Sequence, residues 1–351
     1  MSIDGEIGDQ PRTITRAVAA AGRSAEAVAA LVQAAAERPL GLTHILIAAR
    51  GTSDNAARHA QYVWGHHLRM PVALTTPSLF AGPHPPRLRG CLVLGISQSG
   101  ASPDLVGVLR AAHDARQPTV AVTNHPESPL AEQADVVIAM DVGREHAVAA
   151  TKTYTAQLAC LDAMTDALAT GLDLPAPGLT GQLALVPDAV QRVLEEDLAT
   201  PQVLRLLEGL DRCAVVGRGL DMATVGEWAL KLQELSGVLA HAWSTADFRH
   251  GPFALAAGGL PVLLVSTDPA HRAETVALAI DLVAAGAAPV LLGDAPPRDL
   301  PCPVVALPSS GPVAGAYTAA VAAQLATVAL TRHRGGDPDR PDLISKVTLT
   351  R

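Results

Sequence analysis

The sequence predicts an α/β protein made of two tandem copies of one unit, each a parallel sheet flanked by helices. Three observations carry that expectation. Short runs of unbroken apolar character alternate with longer Ala/Leu-rich helical patterns, each run is followed by Gly, Ser, Asn or Asp, and the whole order then recurs at a nearly constant displacement. Strands covered on both faces read as continuous apolar runs, whereas half-wet strands alternate, so the pattern selects a parallel sheet between helical layers. The 351 residues agree with this, since ~100–200 residues per domain give roughly two domains, and 49% hydrophobic content supplies a core for each.

In chain order, residues 1–34 read as a helical N-terminal segment. Strand-like runs come next at 45–49, 92–96, 120–122 and 136–140, and Pro103 opens a helical pattern that reaches Ala112. Ala49-Arg50-Gly51 returns as Gly217-Arg218-Gly219, displaced by 168, and Leu92-Val93-Leu94-Gly95-Ile96-Ser97 as Pro261-Val262-Leu263-Leu264-Val265-Ser266, displaced by 169. Val136-Val137-Ile138-Ala139 is matched by Pro303-Val304-Val305-Ala306. These matches place one domain at 35–180 and the second at 200–335, with the Pro- and Gly-bearing stretch 171–187 as the link and a polar tail at 336–351. The uncharged stretch 309–331 is long enough to span a bilayer, but its Ala, Thr, Gly and Gln content suits a buried final helix better.

Twenty-six basic against thirty-four acidic residues give a net charge of -8 with no block of like charges, which argues against nucleic acid or a membrane as partner and for a small molecule. The four cysteines lie at least 53 residues apart, so CxxC metal and redox sites are excluded, no metal or other cofactor is called for, and no secretory signal pattern opens the sequence. Reduced thiols and a cytoplasmic location are the expectation. Of the basic residues twenty-three are arginine, and the lysines are Lys152, Lys231 and Lys346. An amine can shift its pKa or form an imine and a guanidinium cannot, so three retained lysines point to chemistry, although chance in an arginine-rich composition explains them too.

The sharpest local signal is Gly95-Ile96-Ser97-Gln98-Ser99-Gly100-Ala101-Ser102, a strand end that turns into a helix start. Free backbone N–H groups, the positive end of the helix dipole and three hydroxyls can converge there on one anion. Without a Walker lysine or a GxGxxG pattern, a monophosphate fits better than a nucleotide. An ordinary N-cap turn accounts for Ser102 before Pro103 but leaves Ser97 and Ser99 unexplained. Gly51-Thr52-Ser53 also follows a strand, which sets Thr52 and Ser53 at the same sheet edge. At the matching place the second copy reads Ser266-Thr267-Asp268-Pro269, and Asp268 would repel a phosphate, so one anion site per chain is expected.

The second copy carries titratable groups instead. A helix over 227–239 puts Lys231 and Glu234 on one face among Leu230, Leu232, Leu235 and Val238. That pair is either a surface ion pair or a carboxylate tuned in a cleft as a general base. Asp247-Phe248-Arg249-His250-Gly251-Pro252-Phe253 then holds a histidine between two phenylalanines, as a structural residue or as a catalytic imidazole.

These motifs resemble the sugar isomerase (SIS) family, most closely the isomerase domain of glutamine:fructose-6-phosphate amidotransferase and stand-alone phosphosugar isomerases. The resemblance rests on Gly51-Thr52-Ser53, Ser97-Gln98-Ser99-Gly100-Ala101-Ser102, Glu145 with Val148-Ala149-Ala150-Thr151-Lys152, Ala229-Leu230-Lys231-Leu232-Gln233-Glu234 and His250-Gly251-Pro252, all in order. It implies two tandem SIS domains, each a flavodoxin-like three-layer sandwich. It also implies that Ser53, Ser97, Gln98, Ser99 and Ser102 bind a sugar phosphate, with Gly51, Thr52, Glu145, Val148, Ala149, Lys152 and Ser345 contacting the rest of the substrate. Glu234 would move the proton between C1 and C2, Lys231 would orient or protonate the substrate, and His250, supplied by the second subunit of a homodimer, would assist ring opening, with Lys346 of the tail as the fourth catalytic residue.

The chain departs from the amidotransferase in two places. No cysteine precedes Cys91, so glutaminase activity is not expected; and aligning the tail on Val347-Thr348 puts Ser345 where the amidotransferase has its imine-forming lysine, with Lys346 one residue later. The tail therefore looks more like the deaminase and isomerase branch, with 336–351 closing over the site. The function implied is conversion of glucosamine 6-phosphate to fructose 6-phosphate and ammonia through an enediol or enolamine. The alternatives are a non-catalytic sugar-phosphate sensor and a fructosamine-phosphate deglycase.

Overall fold

In a computed structural model, which describes residues 2–294, 296–297, 299–308, 313–341, 344 and 346, the two expected sheets are present, each five-stranded and parallel. Helices α1 (Ile3–Gly8) and α2 (Gln10–Ala36) precede β1 (His44–Ala48), α3 (Thr52–Leu68), β2 (Val72–Leu74), β3 (Cys91–Ser97), α4 (Pro103–Asp114), β4 (Thr119–Thr123), β5 (Val136–Ala139) and α5 (Lys152–Gly171). After α6 (Leu179–Gln182), α7 (Val186–Glu196) and α8 (Ala199–Leu207) come β6 (Arg212–Gly217), α9 (Asp221–Ser236), β7 (Leu239–Ser244), α10 (Thr245–Arg249) and α11 (Phe253–Ala257). The chain continues through β8 (Val262–Ser266), α12 (Arg272–Ala284), β9 (Val290–Asp294) and β10 (Val304–Leu307) to α13 (Ala314–His333). It divides into two compact units, Arg12–Glu145 with Lys152–Ala184 and Ser345–Arg351, and Met1–Pro11 with His146–Thr151 and Leu185–Ile344.

The first-copy unit has strand order β2-β1-β3-β4-β5. Every residue of β3 and β4 is buried, as their unbroken apolar runs require. Leu105, Val108 and Leu109 of α4 pack on Val93 and Ala121 of the sheet. Helices α3 and α5 meet through a polar seam, in which His59 Nε2 lies 2.7 Å from Asp162 and Trp64 Nε1 donates to Thr165 Oγ1 at 3.1 Å. The order reverses between β1 and β3, so the loops after these two strands flank the switch point where open α/β sheets take their ligands.

The second-copy unit repeats the order as β7-β6-β8-β9-β10. Val216, Leu264 and Leu291 of its sheet pack with Phe248, Leu278 and Leu282. Helix α13 is long and apolar enough to cross a membrane by length and composition, yet 89% of its most apolar window is buried inside the protein, as expected of a core helix.

Four local readings change. Strands β1 and β5 end one residue earlier than their apolar runs, and the stretch 171–187 contains α6, a 3-10 turn at Leu183–Leu185 and the start of α7. The helix expected over 227–239 begins at Asp221 and ends at Ser236. There Gly237, at φ 66°, takes the left-handed conformation and donates its N–H to Leu232 O, and Leu239 opens a strand. Two of the four edge strands lack the apolar-run signature, β2 because it has three residues and β7 because Leu239 and His241 are exposed.

Candidate functional site

Ser102 caps α4 from an extended backbone conformation with Pro103 at the first helical position, but its hydroxyl makes no capping bond. Ser97 Oγ accepts from Gly100 N at 3.1 Å and Ser99 Oγ from Ala101 N at 3.3 Å. The turn therefore does explain both serines, correcting the view that only a ligand could. Acting as acceptors, the two hydroxyls still have a proton each to donate outward. Among the described residues the amides of Gln98 and Ser99 donate to no protein acceptor. Gly100 is required here, because at φ +62° a side chain would be strained and a Cβ would stand 2.0 Å from Ser128 Oγ.

The β1–α3 junction follows the neighbouring strand. Gly51 turns the chain at φ 54°, ψ -129°, a region suited to glycine, and Thr52 begins α3. Ser53 is buried, and its Oγ accepts from Gln157 Nε2 at 2.9 Å. Half-buried Gln98 is held through its carbonyl, which accepts from Asn124 N at 3.2 Å. Sequence reading missed Arg50, whose Nε and Nη2 lie 2.8 and 2.7 Å from Asp104 Oδ2 in the first turn of α4. This fork neutralises the carboxylate beside the loop, and the signal was its place directly before Gly51. Burial pushes the nearby Asp54 carboxyl above its ordinary pKa, with Arg58 and Arg50 opposing.

Glu145 is buried in the same unit and accepts from Thr153 N at 3.1 Å, Thr153 Oγ1 at 2.7 Å and Lys346 Nζ at 2.8 Å. Lys152 Nζ donates to Arg144 O at 2.9 Å. Val148 and Ala149 fall in the other unit, half-buried and buried respectively, and Ser345 lies outside the described residues, as does most of the tail after it.

In the second-copy unit Lys231 is 1% exposed and bonds Glu234 Oε2, with Glu227 Oε1 3.5 Å away. The surface-pair reading is thereby overturned: this is a buried ammonium between two carboxylates, of which Glu234 alone reaches solvent, at 27% side-chain exposure. Glu227 went unnoticed in the sequence, although its i, i+4 spacing to Lys231 marks it. His250 caps α10, its backbone N–H on Asp247 O, and its ring is exposed without a bond to Glu234 among the described residues. The flanking Phe248 and Phe253 contact each other edge-on at 6.4 Å.

The second copy's loop after β8 is closed by a carboxylate other than the expected one. Asp221 Oδ1 and Oδ2 accept from Thr267 N at 3.1 and 3.0 Å, Oδ1 from Thr267 Oγ1 at 2.5 Å, and Oδ2 from Asp268 N at 3.2 Å. Burial pushes the Asp221 pKa up to about 6, against the lowering effect of these hydrogen bonds. All four cysteines are free; burial raises Cys91 to about 11 and Cys160 and Cys213 to about 12, which leaves them protonated and unsuited to nucleophilic work.

Residues 42–167 and 206–331 each match the SIS domain family. Glutamine--fructose-6-phosphate aminotransferase [isomerizing] of Halobacterium salinarum is 30% identical over 97% of this chain, and the chain spans 58% of that enzyme's length. A crystal structure assigned as a phosphosugar isomerase from Silicibacter pomeroyi superposes with a TM-score of 0.86 at 27% identity, covering 97% of this chain and 100% of that one. Glucosamine-6-phosphate deaminase from Thermotoga maritima shares the fold, with a TM-score of 0.68 at 19% identity over 94% of this chain and 100% of its own. The double match, one on each copy of the unit, means that the chain belongs to the SIS domain family.

Proposed function

We propose that this protein is a phosphosugar isomerase that converts an amino-sugar 6-phosphate, glucosamine 6-phosphate in the first instance, to fructose 6-phosphate and ammonia. The observation that carries the reading is the loop after β3, where two amides with no acceptor among the described residues and the hydroxyls of Ser97, Ser99 and Ser102 offer donors to a phosphate. Ser53 and Gln98 add to that grip. The names of the relatives, an isomerizing aminotransferase and a phosphosugar isomerase, support the same substrate class.

Glu234 is the base. Lys231 Nζ donates to its Oε2 and orients it, and its partial exposure leaves an oxygen for substrate. It takes the C2 proton of the open-chain aldose as O1 gains a proton, which gives an enolamine, and returns its proton to C1 as the nitrogen gives one up; water adds to the resulting C2 imine and ammonia departs. Lys231, with Glu227 behind it, positions the carboxylate. His250 assists ring opening, and its exposure, with no ring partner among the described residues, suits a role at the site of a second copy of the chain, in a homodimer.

The test is ammonia and ketose phosphate released by the purified protein from glucosamine 6-phosphate. No product from this, from galactosamine 6-phosphate or from a fructosamine phosphate would sink the enzyme reading; product from the last alone would favour the deglycase. Glu234→Gln should keep phosphosugar binding and lose turnover. Mixing Glu234→Gln with His250→Ala chains should restore part of the activity, and no recovery would place His250 in its own subunit's site.

A further inference from the structure

The two copies carry matching loops in opposite states. By the displacements of 168 and 169, Asp221 stands where the first copy has Ser53, and Ser266, Thr267 and Asp268 stand where it has Ser97, Gln98 and Ser99. In the first copy the amides of Gln98 and Ser99 have no protein acceptor among the described residues. In the second, the corresponding amides of Thr267 and Asp268 both end on the Asp221 carboxylate, as does the Thr267 hydroxyl. Ser266 Oγ, the counterpart of Ser97, is buried with no partner among the described residues.

The chemistry of this closure is that of an anion site. Asp221 is 2% exposed, and among the described residues neither it nor Asp268 pairs with a Lys, Arg or His. A buried carboxylate without a cation is costly, so amides and a hydroxyl alone must stabilise it. Those are the donors that hold a phosphate at a strand-to-helix loop. Asp268 completes the closure, accepting from Leu220 N at 3.0 Å and Ala270 N at 2.9 Å, and a Cβ on Gly219 would stand 2.1 Å from its Oδ2.

We propose that Asp221 is a resident anion: its carboxylate occupies, in the second copy, the place a phosphate monoester takes in the first, so that the second copy retains an oxyanion cradle closed by the chain itself. The inference rests on the reading of residues 97–102 as the phosphate loop. It implies that the cradle reopens when the two carboxylates are replaced by the first copy's residues at those positions.

The experiment counts inorganic phosphate bound per chain by titration calorimetry, for the full chain and for the double variant Asp221→Ser with Asp268→Ser. The variant should bind one phosphate more than the unsubstituted chain. A folded variant with no added site overturns the proposal, whereas an unsubstituted chain that binds none, with the variant still gaining one, leaves it standing and removes the phosphate reading of residues 97–102. The unsubstituted protein gives a second test that needs no variant to fold. Saturating phosphate should slow amide exchange at Gln98 and Ser99 and leave Thr267 and Asp268 unchanged; phosphate-dependent protection at Thr267 or Asp268 would mean that Asp221 does not fill the cradle.

Discussion

The Lys346 ammonium stands 2.8 Å from Oε2 of Glu145, 201 residues earlier in the chain, and the Thr153 hydroxyl bonds the same oxygen at 2.7 Å. A carboxylate with no exposed side-chain surface thus holds the one described lysine of the C-terminal tail. Such a pair is screened less than a surface one.

Limited digestion after lysine reads this contact directly. Lys152 and Lys231 are 2% and 1% exposed, so the bond after Lys346 is the first that such a protease can reach. Glu145→Gln removes the charge that holds Lys346 and should speed cleavage there several-fold, as followed by mass spectrometry. An unchanged rate would show that the pair does not hold the tail.

Loss of one donor should separate the working loop from its closed counterpart. A hydrogen bond to a charged group contributes about 1.5–3 kcal/mol, so Ser99→Ala should raise KM for the sugar phosphate on the order of ten- to a hundredfold. Ser266→Ala removes a buried hydroxyl that has no partner among the described residues, and should leave KM unchanged and stability equal or slightly higher. The reverse pattern in steady-state kinetics would put the working loop in the second copy.

The carboxylates flanking Lys231 should differ in what their amine does for them. Lys231→Met strips the buried Glu227 of a cation and should cost about 3–5 kcal/mol of stability in urea unfolding. Glu234→Gln alters a group with 27% of its side chain exposed and should cost far less, while abolishing turnover. Equal stability losses would argue that Glu234 is a structural residue.

Asp221 should give the protein a pH-dependent stability of defined sign. Its folded-state pKa is raised to about 6, so the folded state binds the proton more tightly than the unfolded chain does. That contribution is fully present below about pH 4 and is lost as pH rises through about 6, a change of about 3 kcal/mol in all. Against Asp221→Asn, the unsubstituted protein should therefore lose relative stability between these limits in chemical unfolding. A flat difference would mean that the carboxyl keeps an ordinary pKa.

The sequence alone determined the architecture, because parallel strands covered on both faces must be apolar throughout, and because a repeated unit repeats its strand ends. The strand-to-helix turn at Ser97 through Ser102 was legible for a related reason, since hydroxyls and glycine cluster where a strand end turns into a helix start, and two of those hydroxyls serve the turn itself. Sequence alone also placed Lys231 and Glu234 on one helix face. What tertiary structure decided was partnership at long range. Glu145 and Lys346 meet only through the fold, and Asp221, unremarkable in Gly219-Leu220-Asp221, becomes the anion of the second loop because β6 and β8 are neighbours and bring it to Thr267 and Asp268. Reading along the chain blamed Asp268, which lies in the loop itself. The carboxylate that closes the loop comes from the start of α9, the helix that follows the neighbouring strand β6, and one-dimensional spacing does not record which helix start faces which loop.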